Sequence, residues 1–432
     1  MRKNYQTIDA AVEAMAVPER VSVAMSEIAA DVSEGLLALA VGAGLQVLAA
    51  MMAEDVTAAC GPPGQHNPDR VGYRHGAGAG AVGLGGRRVP VQRPRVRAAD
   101  GSGELPVPTY EALAGTEVLG RLAMSRMLAG LSTRRYSLGL EPVGRVVEAT
   151  ASGTSRSAVS RRFVARTETA LAELLAADLS ELDLVGLMVD GVYFAEHLCV
   201  VALGIDINGH KHPLALVEGS TENATLVRDL LVDLRERGID VTTPILVVLD
   251  GSKALRRAVL DVFDHPVLAR CQLHKIRNVG DKLPQKLRGT VARKMRAAYH
   301  ADSALAAQAQ LEALARELDK THPGAAASLR EGLEETLTVL RLDLPPTLAR
   351  TFRSTNAIES MISIAREHAR NVKRWRNGQM ALRWCAAGMV EAKQQFRRVN
   401  GHLHLATLRT ALERETATTV GPMSHDEDVN AA

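Results

Sequence analysis

The sequence predicts an α/β protein built on a buried sheet, and three features carry that prediction. An apolar run ending in an acid, Val185-Gly186-Leu187-Met188-Val189-Asp190-Gly191, has a near copy further on in Ile245-Leu246-Val247-Val248-Leu249-Asp250-Gly251. Between them lies a β-branched segment, Leu198 to Glu218, broken once at Asn208-Gly209. Helical periodicity flanks this region on both sides. Continuous Val/Ile/Leu runs suit strands buried on both faces, and Asn-Gly is a strong hairpin signal. Asp190 and Asp250 are thereby expected at the ends of neighbouring strands.

Taken in order, residues from about Ala10 to Ala59 read as two amphipathic helices. The stretch Gly35 to Met52 is apolar enough to raise the question of a membrane span. Its Ala and Gly content, Gln46, and the closeness of Glu34 and Glu54 favour an ordinary buried helix. From Gly61 to Gly103 the chain is rich in Gly, Pro and Arg, which excludes long helix. Val89-Pro90-Val91-Gln92 could form a short edge strand. The stretch reads either as a flexible linker or as a basic arm, with Arg87, Arg88, Arg93, Arg95 and Arg97 lying along phosphates.

Helical pattern returns at Tyr110. A short helix from Pro142 to Thr150, a break at Ser152-Gly153 and a helix from Ser155 match the spacing of a helix-turn-helix. Arg156, Ser157, Arg161 and Arg162 open the second helix, and such residues reach base edges and phosphates in a major groove. The alternative is a solvated basic face.

In the sheet region the first strand is expected to end at Asp190, and a hairpin to join Cys199–Ile207 to Lys211–Val217. Ser220-Thr221-Glu222 starts a helix through Arg237, with Leu226, Leu230 and Leu234 on one face. The next strand ends at Asp250, a helix runs from Ser252 to Phe263, and a short strand covers Val267 to Cys271. Helices fill Gln285 to Leu344, interrupted at His322-Pro323-Gly324 and closed by Pro345-Pro346. Another helix begins near Asn356 and carries Glu359. Beyond it Arg366, Arg370 and Arg374 recur every four residues, as on one helical face, with Lys373 beside them. The stretch after Thr416 reads as a frayed tail.

The organisation that follows is 1–60 helical, 61–109 basic, 110–180 helical and DNA-binding, 181–284 and 347–415 the two parts of the core, 285–346 a helical insertion, and 416–432 a tail. A chain of 432 residues has room for several domains. The four cysteines are scattered without a Cys-x-x-Cys pair, which implies neither a disulfide framework nor a zinc finger and fits a reducing cytoplasm. The net charge of +3 is small, so the local clusters of Arg and Lys point to a partner better than the total does.

Two Asp residues at strand ends and an acid on a later helix can together hold divalent cations. Hard oxygen ligands suit Mg²⁺ or Mn²⁺, and two such ions stabilise attacking and leaving oxygens in a phosphodiester displacement. Each Asp precedes Gly, so each alone also reads as turn chemistry. Glu359 has a second reading as the far end of a capping box on Asn356. His274, close to Cys271, reads more readily as structural or phosphate-contacting than as a metal ligand, for want of a second Cys/His pair.

Several longer motifs go beyond pattern. They include Leu187-Met188-Val189-Asp190-Gly191-Val192-Tyr193, Glu218-Gly219-Ser220-Thr221-Glu222-Asn223, Cys271-Gln272-Leu273-His274-Lys275, Thr355-Asn356-Ala357-Ile358-Glu359 and Lys373-Arg374-Trp375. In this order they resemble bacterial mutator-type insertion-sequence transposases, from roughly Tyr73 to Leu408. The resemblance implies a DDE transposase with a ribonuclease-H-like core and a helical insertion between its second and third acids. Asp190, Asp250 and Glu359 match the three acids, which would hold two Mg²⁺ ions, with Mn²⁺ as substitute. Cys271 and His274 match a Cys-x-x-His signature, read as supportive. The implied partners are double-stranded DNA, as terminal inverted repeats and target, and further copies of the chain in a dimer or larger assembly. No membrane is implied. The Gly/Ala-rich run from Gly76 to Gly86 departs from the family pattern. Rival readings are a non-catalytic DNA-binding regulator and a structure-specific nuclease of the same fold.

Overall fold

The computed structural model describes residues 35–219 and 223–419, and the chain divides into two compact units, Met1–Arg166 and Thr167–Ala432. The first expected N-terminal helix, the helix start at Ser220-Thr221-Glu222 and the chain beyond Thr419 lie outside the described residues.

In the first unit, α1 (Leu36–Cys60) is a single long helix, and its burial departs from the expectation. Leu48, Met52, Val56 and Cys60, four residues apart, pack on Val82, Val96 and Val107, while Leu36, Val47 and Met51 stay exposed. By length and composition alone α1 could cross a membrane, with 17% of its most apolar window buried.

The short strand expected at Val89-Pro90-Val91-Gln92 is part of a longer one, and the Gly/Pro/Arg-rich stretch is not a flexible linker. It folds as a long antiparallel hairpin of β1 (Gly72–Leu84) and β2 (Arg87–Ala98), with β3 (Glu104–Leu105) beside β2. Gly85 and Gly86 make the turn at φ 53° and 80°, the positive pair that matches strand twist. A side chain on Gly80 would meet the Tyr110 ring at 2.8 Å, so close packing accounts for part of the glycine content. Arg87 is buried and ion-paired to Glu148 at 2.7 Å, while Arg93 and Arg95 both engage Glu104. These three arginines therefore work inside the unit.

After α2 (Pro108–Ala114) and α3 (Glu117–Leu128) come α4 (Arg145–Thr150) and α5 (Arg156–Leu175). The link between the last two is extended where a tight turn was expected. Ser152 bridges to Arg88 of β2 through two backbone hydrogen bonds of 2.8 Å. The amide of Ala158 donates to the Ser155 hydroxyl at 3.3 Å, capping α5.

The second unit holds a five-stranded mixed sheet in the order β6-β5-β4-β7-β8. β4 (Leu184–Phe194), β5 (His197–Asp206) and β6 (Lys211–Gly219) are antiparallel neighbours, and β7 (Ile245–Leu249) and β8 (Pro266–Arg270) continue from β4 in parallel. One face packs on Val227, Leu230, Leu231 and Leu234 of α6 (Ala224–Glu236) and on Leu255, Ala258 and Val259 of α7 (Lys253–Val262). Asn223 caps α6, its side chain accepting from the Leu226 amide.

The helices expected from Gln285 to Leu344 are α9 (Gln285–Ala298), α10 (Ala304–Asp319), α11 (Pro323–Arg330) and α12 (Leu333–Arg341), which share one core with Val279 of α8 (Gln272–Asp281). Two buried cations tie this cluster to the sheet edge. Lys275 Nζ donates to the Ser328 carbonyl at 2.6 Å, and Arg270 to the Glu331 carbonyl at 3.0 Å. Then follow α13 (Pro346–Phe352), α14 (Asn356–His368) and α15 (Gly378–Gln395), the last two packed on the sheet. The closing helix α16 (Leu405–Thr419) runs past the point where a tail was expected to begin, with Thr416 bonding back to the Leu412 carbonyl at 3.0 Å.

Candidate active site

The first acid does not end its strand. β4 continues past Asp190 to Phe194, because the antiparallel partner β5 pairs with it along that whole length. What ends near Asp190 is the parallel pairing with β7, registered Gly186↔Leu246, Leu187↔Val247 and Met188↔Val248. The same register carries Asp190 to Asp250, just beyond Leu249. Side chains alternate across a sheet, so Asp190 shares the face of Gly186 and Met188. A Cβ on Gly186 would touch Phe352 at 2.6 Å, which places that face under α13 and α14. Glu359 lies in the first turn of α14. Three elements thus bring the predicted carboxylates to one side of the sheet.

Burial first, and then the charges of Asp250 and Glu359, push the Asp190 carboxyl up to about 6, against the Gly191 amide that donates to it and against His274. Asp250 also performs turn chemistry, accepting from the Ser252 amide at 2.8 Å ahead of α7. Gly251, at φ 110°, has no room for a side chain: a Cβ there would lie 2.2 Å from Arg270 Nε. This glycine admits the buried guanidinium behind the Asp250 turn.

Glu359 does not complete a capping box on Asn356. The helix begins one residue earlier at its cap, Thr355, and the Thr355 hydroxyl donates to Glu359 Oε1 at 2.6 Å. His274 Nδ1 is 3.7 Å from the same oxygen. Cys271, fully buried between β8 and α8, receives the Thr355 amide at 3.4 Å. Burial pushes its thiol up, but His274 and Thr355 outweigh that and hold it below the ordinary value. His274 is raised by Cys271 first, against burial, with Glu359 and Asp250 adding to the rise. Among the described residues, the metal-ligating atoms that converge within 4.8 Å are those of Cys271, His274 and Glu359, not those of the aspartate pair with Glu359.

The basic residues do not form one helical stripe. α14 ends at His368, so only Arg366 is helical, while Arg370 sits in the following turn and Lys373 and Arg374 in an extended segment before α15. Trp375 anchors that segment, its ring 4.9 Å from Phe194 and 6.4 Å from Trp384. Lys373, Arg374 and Arg376 are left exposed, lining a cleft with Ala195 and Glu196 at the β4–β5 turn. On α5, Arg156, Ser157 and Arg161 are exposed, whereas Arg162 folds back to the Gly153 carbonyl at 2.7 Å.

Sequence reasoning passed over Thr355 as a functional residue. Its signal was spacing, since a residue four positions before Glu359 lies one helical turn beneath it.

A mixed five-stranded sheet packed between helices defines the class, an α/β protein. The chain belongs to a family described as transposase, Mutator family, whose model matches residues 8–399. It is 25% identical over 370 residues to a transposase for insertion sequence element ISRM5 of Rhizobium meliloti (strain 1021), covering 84% of this chain and 89% of that one. It is 29% identical over 212 residues to a "Probable transposase for insertion sequence element" of Corynebacterium diphtheriae, covering 48% and 61%. It is 31% identical over 188 residues to a transposase for insertion sequence element IS6120 of Mycolicibacterium smegmatis, covering 42% and 57%. The last two matches span less than two thirds of those relatives.

Proposed function

We propose that this protein is a DNA transposase of the DDE type, binding the terminal inverted repeats of a mobile element and cutting and joining DNA there. The observation that carries the reading is the strand register that sets Asp190 beside Asp250 on the face covered by the helix of Glu359. The antiparallel β6-β5-β4 hairpins extended by parallel β7 and β8 support a ribonuclease-H-like core, with α9 to α12 as the insertion before the third acid.

The donor set fits hard divalent cations. All three groups offer oxygen, and a cation between them would offset the burial, and then the neighbouring carboxylate charge, that raise Asp190. Two Mg²⁺ ions, or Mn²⁺ in their place, would supply charge stabilisation for the attacking and leaving oxygens of a phosphodiester. Asp190, Asp250 and Glu359 would hold them. Arg366, Arg370, Lys373 and Arg374 would neutralise backbone phosphates, and Arg156, Ser157, Arg161 and Arg162 would serve a helix-turn-helix at the repeats. Cys271 and His274 support Glu359. Joining two element ends calls for a homodimer or larger assembly, acting in the cytoplasm at the nucleoid.

The test is cleavage of repeat-ended duplex DNA. Asp190→Asn, Asp250→Asn and Glu359→Gln are each expected to abolish Mg²⁺-dependent cutting while leaving DNA binding measurable. A variant that still cuts removes its residue from the site. Binding with no cutting by the parent chain would instead favour a non-catalytic regulator.

A further inference from the structure

The Thr355 hydroxyl sits among three side chains, Glu359 from its own helix and Cys271 and His274 from the start of α8. Its Oγ1 lies 2.6 Å from Glu359 Oε1, 3.3 Å from His274 Nδ1 and 3.4 Å from Cys271 Sγ, and the residue is fully buried. We propose that Thr355 is a positioning residue for the third acid, its hydroxyl holding Glu359 while Cys271 and His274 hold the hydroxyl. This rests on the metal-ligand reading of Glu359.

A hydroxyl has one proton to donate and two lone pairs to accept with. The shortest contact, to a charged carboxylate, takes the proton. Cys271 Sγ and His274 Nδ1 flank the same oxygen, and an Nδ1–H on His274 would fill one of its lone pairs. The Thr355 amide, directed at Cys271 Sγ, locks the same thiol from the backbone side. The buried hydroxyl thus has a carboxylate for its proton and an imidazole beside its lone pairs, an arrangement that calls for the Nδ1–H tautomer of His274.

A rival assignment makes Cys271, His274 and Glu359 a site for a soft metal ion, since their ligand atoms converge within 4.8 Å. The Thr355 oxygen already contacts Cys271 Sγ, His274 Nδ1 and Glu359 Oε1, one atom from each of the three side chains. The arrangement is built around a hydroxyl. Because Thr355 precedes α14 and Cys271 closes β8, the hydroxyl also fixes the first turn of α14 against the sheet edge.

Mn²⁺ binding to the full-length protein without DNA, followed by the electron paramagnetic resonance of free Mn²⁺, tests this apart from catalysis. Thr355→Val keeps the shape and removes the hydroxyl; it should weaken Mn²⁺ binding by about 10- to 100-fold, the usual effect of losing such an outer partner. Thr355→Ser should stay within about threefold of the parent. If Thr355→Val does not fold, His274 decides the matter. His274→Asn, which presents an N–H near the Nδ1 position, should retain binding, and His274→Gln should lose it. Parent-like binding by Thr355→Val, or the reverse order of the two His274 variants, would overturn the proposal. Glu359→Gln separates this from the underlying reading: if it binds Mn²⁺ like the parent, Glu359 is no ligand, whatever Thr355 does.

Discussion

Asp190 carries its charge where burial and two neighbouring carboxylates oppose it, and that has a consequence for stability. Its folded value of about 6 stands above the ordinary 3.8, so the folded state holds the proton more tightly than the unfolded chain. The stabilisation from that proton is complete below the unfolded value and is lost as pH rises through about 6. A shift of this size corresponds to about 3 kcal/mol, which partial solvent contact at the site reduces to about 1–2 kcal/mol. With divalent ions chelated, Asp190→Asn should therefore raise unfolding free energy by about 1–2 kcal/mol at pH 8 and by almost nothing near pH 3.5. Denaturant melts at the two pH values measure this, and equal gains at both would show that ionisation is not the cause. The residue itself was legible as the acid ending an apolar run. Its setting was not, because the charges acting on it come from Asp250 and Glu359, both remote in sequence. Thr355 was hidden for the same reason: its meaning depends on Cys271 and His274 from another part of the chain.

Among the elements, the sheet of the second unit was readable because its strands are buried on both faces and so consist of unbroken apolar runs. Asp206 shows what that signal leaves out. It is buried in the β5–β6 turn and accepts from the Asn208 and His210 amides at 2.9 and 2.8 Å, pinning a connection that sequence located only by Asn208-Gly209. The β1–β2 hairpin escaped because glycine and proline weaken the strand pattern, and its order depends on side chains packed from elsewhere, such as Tyr110 over Gly80. Gly85-Gly86 was the signal that could have found it. Gly86→Ala tests that account. Its φ of 80° disfavours any side chain, and a Cβ would meet Leu140 at 2.6 Å and Leu122 at 3.0 Å. The variant should lose about 2–3 kcal/mol in thermal or denaturant unfolding of the first unit. Gly76→Ala, at φ 75° but with open space around it, should lose only about 1 kcal/mol. Equal losses would mean that the tight packing beside the turn contributes nothing.

At the scale of the whole molecule, 52 basic and 49 acidic side chains nearly cancel, so any affinity for a polyanion must come from how the charges are placed. Much of the basic set is engaged internally: Arg87 with Glu148, Arg95 with Glu104, Arg270 and Lys275 with carbonyls of the insertion. Arg370, Lys373 and Arg374 differ, standing exposed on a segment fixed by Trp375 near the β4–β5 turn. Each cation that meets a phosphate releases condensed counterions, and the dependence of binding on salt counts such contacts. Replacing Arg370, Lys373 and Arg374 together by Gln should reduce the slope of log affinity against log salt by about 2–3 for duplex DNA, weakening random and repeat-ended duplexes alike. Arg330→Gln removes the same kind of charge from a surface where it is already paired with Asp319, and should leave the slope unchanged. Fluorescence anisotropy across a salt series measures both. If the triple variant keeps the parent slope, the basic segment at the β4–β5 turn does not touch DNA, and phosphate binding must be sought on Arg156 and Arg161 of α5, which are also exposed.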